Sequence, residues 1–452
     1  MKLSHVAEAL QVPMPCADAP CQGVSIDSRT AEKGSLFIAI KGEQHDGHQF
    51  VPQLETQAVA AIVDQTVKTT LPCFEVPHTK RALIELARYW RDHVNAPVIA
   101  ITGSCGKTTT RALLTSLLSQ RFKTSASKKS HNNDIGVPLT LLQAKPEHER
   151  LVFEVGTSSS GEIARHSHLL RPDIAIILMA ATVHLEGLGD LNGVVKEKGD
   201  LLLGLAKKGV AILNRDDPHY SVWANRVLPT QTLISFGQHL EADVRADDIR
   251  IEKNGRVRFN LCVNDRSQEL FLPMMGRHNV YNALAAIAAA LQSGISIEDL
   301  QMGLSMTELE PRRLELKLTA SGATVIDDSY NANPHSMRAA MELLAETPAV
   351  HKVLVMGDMK ELGDNASEFH REIGEQAKSL GISALHGYGT DSKAAVIAFG
   401  EHGRHWNDQA LLSRYLADKI DADTVVLVKG SNSMQMNKVA EALLGNQRQE
   451  ES

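Results

Sequence analysis

The 452-residue chain carries 43% hydrophobic and 22% charged residues, the proportions of a globular protein rather than a disordered or fibrous one. Its length exceeds one ordinary domain and predicts two to three. A formal net charge of −7, spread without long blocks, leaves no basic footprint for nucleic acid.

The opening Met1-Lys2-Leu3-Ser4-His5 lacks the apolar core of a signal peptide. The longest apolar run, 174–183, is half of what a bilayer needs and predicts a buried strand, so no membrane insertion is expected. Cys16, Cys21, Cys73, Cys105 and Cys262 form no C-x-x-C pair and leave an odd one. They read as reduced thiols in a cytoplasmic protein.

Over 1–80, short apolar runs alternate with turns, and strands are predicted at 35–40 and 58–63. Between them, 44–50 is a polar loop with two histidines. Metal binding is conceivable, but with no third ligand nearby a solvated loop is the preferred reading. Helical spacing over 81–93 (Leu83, Leu86, Ala87, Trp90) leads into a second unit. From 97 onward strands at 98–102, 151–155, 174–180, 210–213 and 232–235 alternate with helices, the pattern of a mostly parallel sheet covered on both faces. The run 256–263 then alternates strictly, predicting a half-exposed antiparallel strand paired with 269–272. An alanine-rich helix is predicted over 279–292, stopped by Gly294. Past an interdomain joint at Leu309-Glu-Pro-Arg-Arg313 the βα rhythm restarts, with strands at 323–327, 352–356 and 424–428 and helices at 336–346, 367–379 and 433–444. The predicted fold is therefore α/β in three domains. They are a smaller N-terminal α/β domain over 1–80, a central mostly parallel sheet with an antiparallel extension over 81–310, and a C-terminal Rossmann-like domain over 311–452.

The chemistry centres on Thr102-Gly-Ser-Cys-Gly-Lys-Thr108, between a buried strand and a helix. Glycines let backbone N–H groups converge on phosphates, the helix N-terminus adds partial positive charge, Lys107 supplies a full one, and the Thr108 hydroxyl suits Mg²⁺. The first glycine of the usual G-x-x-x-x-G-K-[ST] pattern is replaced by Ile101. Cys105 lies inside this loop; a small loop filler is the preferred reading, and the competing one is that oxidation or alkylation of its thiol blocks ATP binding. Glu154 ends an apolar strand, where a carboxylate faces the ligand crevice of a parallel sheet and can serve Mg²⁺, or can simply be a satisfied strand-end carboxylate. His184, read alone, is a loop histidine, and Lys196 and Lys198 are surface charges on a helix. Arg312, Arg313, Asp327 and Asp328 are ambiguous singly, although an arginine at a domain boundary can reach a phosphate on closure.

Taken together the motifs resemble the Mur ligase family. The resemblance runs through the phosphate loop, Asn132-Asn-Asp-Ile-Gly-Val-Pro138, Glu154-Val-Gly, His184-Leu-Glu-Gly, Lys198-Gly-Asp-Leu, Asn214-Arg-Asp-Asp217 and Gly276-Arg-His-Asn-Val-Tyr-Asn282. It continues with Pro311-Arg-Arg-Leu314, Asp327-Asp-Ser-Tyr-Asn-Ala-Asn-Pro334, Gly357-Asp-Met-Lys-Glu-Leu-Gly363 and Val428-Lys-Gly-Ser431, and it begins with Asp27-Ser-Arg29. It implies an ATP- and Mg²⁺-dependent amide ligase that adds D-alanyl-D-alanine to UDP-N-acetylmuramoyl-tripeptide through an acyl phosphate, acting in peptidoglycan precursor synthesis as a monomer. The competing readings are a sister ligase that adds a single amino acid, and a P-loop regulator or kinase.

By the same resemblance, Lys107, Glu154, His184, Lys198 and Arg313 carry the catalysis. ATP is held by Thr102, Gly103, Ser104, Cys105, Gly106, Lys107, Thr108 and Thr109, with Asn279, Asn282, Arg313 and Asp328. Thr108, Glu154, His184 and a carbamylated Lys198 serve the metals. Ser28, Arg29, Lys41, Asp46, His48, Asn132, Asn133, Thr157 and Ser158 receive the UDP substrate, while Tyr330, Asn331, Asn333 and Lys429 face the dipeptide. Two departures stand out: Thr157-Ser158-Ser159 occupies a place where many relatives carry Ala-Asn-His, and Asn432 stands where an arginine is usual.

Overall fold

In the computed structural model, which describes residues 1–42, 45–128, 131–252 and 255–445, three sheets follow one another along the chain. The first is parallel, with β1 (Val24–Ser25), β2 (Ser35–Ile38), β3 (Ala58–Val63) and β4 (Cys73–Glu75) in sequential order. Gln44, which opens the polar loop 44–50, lies outside the described residues, as does the tail 446–452.

The central sheet has nine strands: β5 (Val98–Thr102), β6 (Thr124–Ala126), β7 (Arg150–Glu154), β8 (Ile174–Ile177), β9 (Val210–Asn214), β10 (Thr232–Gly237), β11 (Val244–Ile251), β12 (Arg256–Val263) and β13 (Arg266–Met275). Their order is β13-β12-β11-β10-β9-β8-β5-β7-β6, parallel from β6 through to β11 and antiparallel at β12 and β13. β5 is apolar from Val98 to Ile101 because both of its faces are covered. Val98 and Ala100 enter one core, while Ile99 and Ile101 enter the core beneath the helices Lys107–Ser119 and His278–Gln292, as a period of two requires. β12 is half-exposed, as its alternation predicts: Val257, Phe259 and Leu261 are buried and Arg256 and Arg258 are not. β11 escapes the sequence pattern because Arg245, Asp247, Asp248 and Arg250 interrupt its apolar residues.

The helix Thr79–Asp92 does more than lead from one unit to the next. It buries Leu83, Leu86, Ala87 and Trp90 in one core with Leu36 and Ile38 of the first sheet and Ala100 and Phe153 of the second. The Trp90 indole donates to the Ala144 carbonyl at 2.9 Å. The helix is thus a layer shared by both sheets.

The third sheet contains β14 (Glu315–Leu318), β15 (Thr324–Asp328), β16 (His351–Gly357), β17 (Ala384–Tyr388), β18 (Gly403–Trp406) and β19 (Thr424–Lys429), in the order β14-β15-β19-β16-β17-β18. All neighbours are parallel except the edge strand β14. Asp328 and Lys429 end adjacent strands in register, so both stand at the carboxyl edge where open α/β sheets bind ligands. The helix predicted over 336–346 starts two residues earlier, at Pro334, capped by Asn333. The one predicted over 433–444 is a 3-10 turn, Asn432–Met434, followed by the helix Asn437–Leu443. Among the described residues no helix is long and apolar enough to cross a membrane.

Candidate active site

A cleft of about 1050 Å³ lies between the carboxyl edges of the second and third sheets. β5 delivers the phosphate loop into it. Gly106 precedes the helix with φ +85, and a Cβ there would stand 2.1 Å from Asn282 Oδ1, so only glycine fits. Ser104, Cys105, Lys107, Thr108 and Thr109 also line the cleft. Thr102 lies deeper, its hydroxyl donating to the Val155 carbonyl at 2.9 Å, and Gly103 offers its carbonyl to Lys107 Nζ at 2.7 Å. Burial lowers the affinity of Lys107 for its proton, an effect that Glu154 opposes.

Glu154 is the hub. Its carboxylate accepts from Thr108 Oγ1 at 2.9 Å and from Asn132 Nδ2 at 2.8 Å, and Arg111 Nε lies 3.7 Å away. Across the domain boundary Arg313 donates to the same Thr108 hydroxyl at 2.9 Å, while its guanidinium lies 4.0 Å from the centre of the Tyr330 ring. Arg313 Nε is buried without a hydrogen-bond partner, a donor available to an anion. Cys105 Sγ accepts from Asn333 Nδ2 at 3.3 Å, so the third unit reaches the phosphate loop at a second point.

Lys198 overturns the surface-charge reading. Lys196 is exposed and pairs with Asp200 at 3.1 Å, but Lys198 is only 1% exposed. Burial, assisted by the neighbouring Lys107, brings the Lys198 ammonium down to about 7. The adjacent Glu197 accepts from the backbone N–H groups of Gly161 and Ile163 at 2.7 and 2.8 Å, fixing the start of the helix Glu162–Leu170. His184 lines the cleft in a left-handed conformation, φ 53, and its Nδ1 contacts the Glu361 carboxylate of the third unit, itself at φ 64.

The remaining candidates divide. Asp328, Tyr330, Asn331, Asn333 and Lys429 line the cleft. Lys429 is buried and holds Asp328 Oδ2 at 2.5 Å and the Asn331 carbonyl at 2.9 Å. Asn333 caps its helix through Ser336 N at 2.8 Å and faces the phosphate loop, so its side chain is committed away from the expected dipeptide contact. Asn279 and Asn282 bond each other at 2.8 Å, and Asn282 packs under the loop. Asn133 caps the next turn through Gly136 N at 2.9 Å. Thr157 and Ser158 line the cleft, yet Ser158 N and Oγ both turn to Glu162.

The five N-terminal candidates do not join the cleft. Arg29 forks onto Asp27 at 2.9 and 2.7 Å, Ser28 is half-buried and Lys41 is exposed. His48 is 3% exposed, with Nδ1 on Asp46 at 2.6 Å and Nε2 accepting from Asp64 N at 3.2 Å. Both ring nitrogens are used, so Asp46 and His48 brace the loop internally.

Residues beyond the sequence candidates also gather here. Asp216 accepts from Gln238 N and His239 N at 2.7 and 2.9 Å and from Tyr281 at 2.9 Å. Burial pushes His278 down to about 4, leaving a neutral imidazole in the cleft wall. Arg111, on the helix that follows the phosphate loop, is buried with its Nε 3.7 Å from the Glu154 carboxylate. The signal was a charge at position 111 inside an apolar face.

The family described as "Mur ligase middle domain" matches residues 101–290, "Mur ligase, glutamate ligase domain" 312–432, and "Mur ligase family, catalytic domain" 20–91. The chain is 38% identical over 448 residues to UDP-N-acetylmuramoyl-tripeptide–D-alanyl-D-alanine ligase of Escherichia coli (strain K12), covering 98% of both chains. It is 33% identical to the ligase of the same description from Bacillus subtilis (strain 168), covering 93% of both. Among solved structures, MurF from Acinetobacter baumannii is 33% identical with a TM-score of 0.90 and 98% coverage of both chains.

Proposed function

The chain belongs to the Mur ligase family, and from that premise we infer that it is the ATP-dependent ligase joining D-alanyl-D-alanine to UDP-N-acetylmuramoyl-tripeptide in peptidoglycan precursor synthesis. The observation that carries the reaction class is the convergence on Thr108 of Glu154 from the central sheet and Arg313 from the next unit.

The tripeptide carboxylate attacks the γ-phosphate of ATP, giving an acyl phosphate as the bond to the β-phosphate breaks and ADP leaves. The dipeptide amine then attacks that carbonyl, phosphate leaves and an amide remains. Carboxylate and triphosphate repel each other, so cations must surround them. Lys107 sits in the loop, Arg313 presents an unpaired buried Nε, and Lys429 holds Asp328 in place at the opposite edge. The acyl phosphate must be kept from water, and contacts from the third unit at Cys105, Thr108 and His184 provide the closed wall.

The donor set fits Mg²⁺. The Glu154 carboxylate and the Thr108 hydroxyl, 2.9 Å apart, are the hard oxygen donors such an ion takes alongside substrate phosphates. Thr108, Glu154 and His184 would hold it, together with Lys198 as a carbamate. Mg²⁺ would neutralise charge on the transferring phosphoryl group. A lysine brought to about 7 has the neutral amine needed to add CO₂, with loss of one proton. ATP occupies the cleft, with Asn279, Asn282 and Asp216 toward its base. The units 1–80, 81–310 and 311–452 then take the UDP end, the ATP and the dipeptide. The enzyme so proposed acts as a cytoplasmic monomer.

The test is phosphate release from Mg-ATP with UDP-N-acetylmuramoyl-tripeptide, with and without D-alanyl-D-alanine. Turnover that requires the dipeptide is expected. Turnover with a single amino acid instead would assign a sister ligase, and turnover indifferent to any acceptor would remove the ligase reading.

A further inference from the structure

The phosphate-loop helix meets the interdomain joint at two positions one turn apart. Thr108 receives Arg313, and Arg111 receives Glu310. Positions i and i+3 share a helix face, so residues 310–313 lie along that face. Arg111 is 7% exposed and its guanidinium engages three elements at once. Nη1 donates to the Ser127 carbonyl at 2.7 Å just past β6, Nε stands 3.7 Å from the Glu154 carboxylate at the end of β7, and Nη2 pairs with Glu310.

The joint needs such a hold. Arg312 and Leu314, on either side of Arg313, both adopt the left-handed region, at φ 64 and 53. Non-glycine residues persist there only when surrounding contacts over-determine them. The third unit supplies its share: Arg312 donates to the Ser329 carbonyl at 2.6 Å, and Leu314 N donates to Asp328 Oδ1 at 3.3 Å. On the central side, Glu310 on Arg111 is the anchor that precedes Arg313.

We propose that Arg111 and Glu310 are positioning residues: they register the joint on the phosphate-loop helix and so set where Arg313 arrives over Thr108 and the transferred phosphate. Arg111 also stands 3.7 Å from the Glu154 carboxylate through an Nε that makes no hydrogen bond, so charge rather than a bond links the joint to Glu154. A lysine, with a single point charge, could not serve three partners in fork geometry.

This rests on the ATP-ligase reading, and the experiment separates the two. Dipeptide-dependent turnover of the unaltered enzyme tests the ligase reading by itself. Glu310→Gln, which keeps shape and removes charge at a half-buried position, is expected to raise KM for Mg-ATP about tenfold with a melting temperature close to wild type. Arg111→Lys should raise it as well. In a double-mutant cycle, Glu310→Gln added to Arg313→Lys should cost far less than it does alone, because its effect passes through Arg313. Fully additive losses in the cycle, or an unchanged KM in Glu310→Gln while the unaltered enzyme turns over normally, would overturn the proposal. If Arg111→Lys fails to fold, the Glu310 cycle decides alone.

Discussion

Gly106 gives the sharpest single-atom test of the nucleotide site. Its φ of +85 places it where an L-residue is strained, and an added Cβ would stand 2.1 Å from Asn282 Oδ1, 3.0 Å from Asn282 Cγ and 3.3 Å from Leu178 Cδ1. Asn282 cannot give way cheaply, because its Nδ2 donates to Asn279 at 2.8 Å inside a buried helix. Left-handed strain of about 1–2 kcal/mol and overpacking of about 1–3 kcal/mol together predict a penalty of roughly 2–5 kcal/mol for Gly106→Ala. Part of it is relieved by moving the loop, so KM for ATP should rise by at least about tenfold. Gly294 is the matched control at the far end of the same helix: its φ is +93, but nothing lies within 4 Å of its Cβ position. Gly294→Ala should carry only the strain, lowering the melting temperature without changing KM. Thermal melting and ATP-dependent kinetics on both variants decide the matter. Equal melting losses with equal, wild-type KM values would show that the close approach of Asn282 to the loop has no functional consequence.

Three other groups are probed by substitution or modification. Lys198→Met should abolish ligation without rescue by bicarbonate, while stabilising the fold most in mild acid. The unfolded lysine keeps its proton, whereas the folded one, at about 7, sheds it as pH rises. The burial penalty is therefore complete below pH 7 and falls by about 1.4 kcal/mol per unit above it. The advantage of methionine should shrink between pH 7 and pH 9 in thermal melts; an advantage growing with pH would contradict this account. Tyr330→Phe should keep kcat near wild type and Tyr330→Leu should lower it several-fold, because the ring 4.0 Å from Arg313 is worth about 0.5–2 kcal/mol as a cation–π partner. Equal activity in the two variants would remove the ring from the mechanism. Alkylation of Cys105 should track loss of ATP turnover and be slowed by Mg-ATP, as peptide mass spectrometry can follow; full turnover with Cys105 alkylated would return the thiol to a loop filler.

Much of this was legible in the sequence because its causes are local. The run 98–102 followed by Gly106-Lys107-Thr108 determines a buried strand, a left-handed glycine and a helix start, since each follows from backbone sterics and side-chain period. Alternation over 256–263 specified a half-exposed strand for the same reason, and the ordered motifs specified the family. The third dimension decided what depends on distant partners. Lys198 sits two residues from the exposed Lys196 with the same local pattern, and only packing buries one and leaves the other in solvent. His48 looked available to a substrate until Asp46 and Asp64 filled both nitrogens. Arg111 meets Glu310 across 199 positions, and Arg313 meets Thr108 across 205. Local chemistry determined which residues could bind a nucleotide. Only the folded chain, by closing those long separations, determined which charges line the cleft and which are spent holding the scaffold.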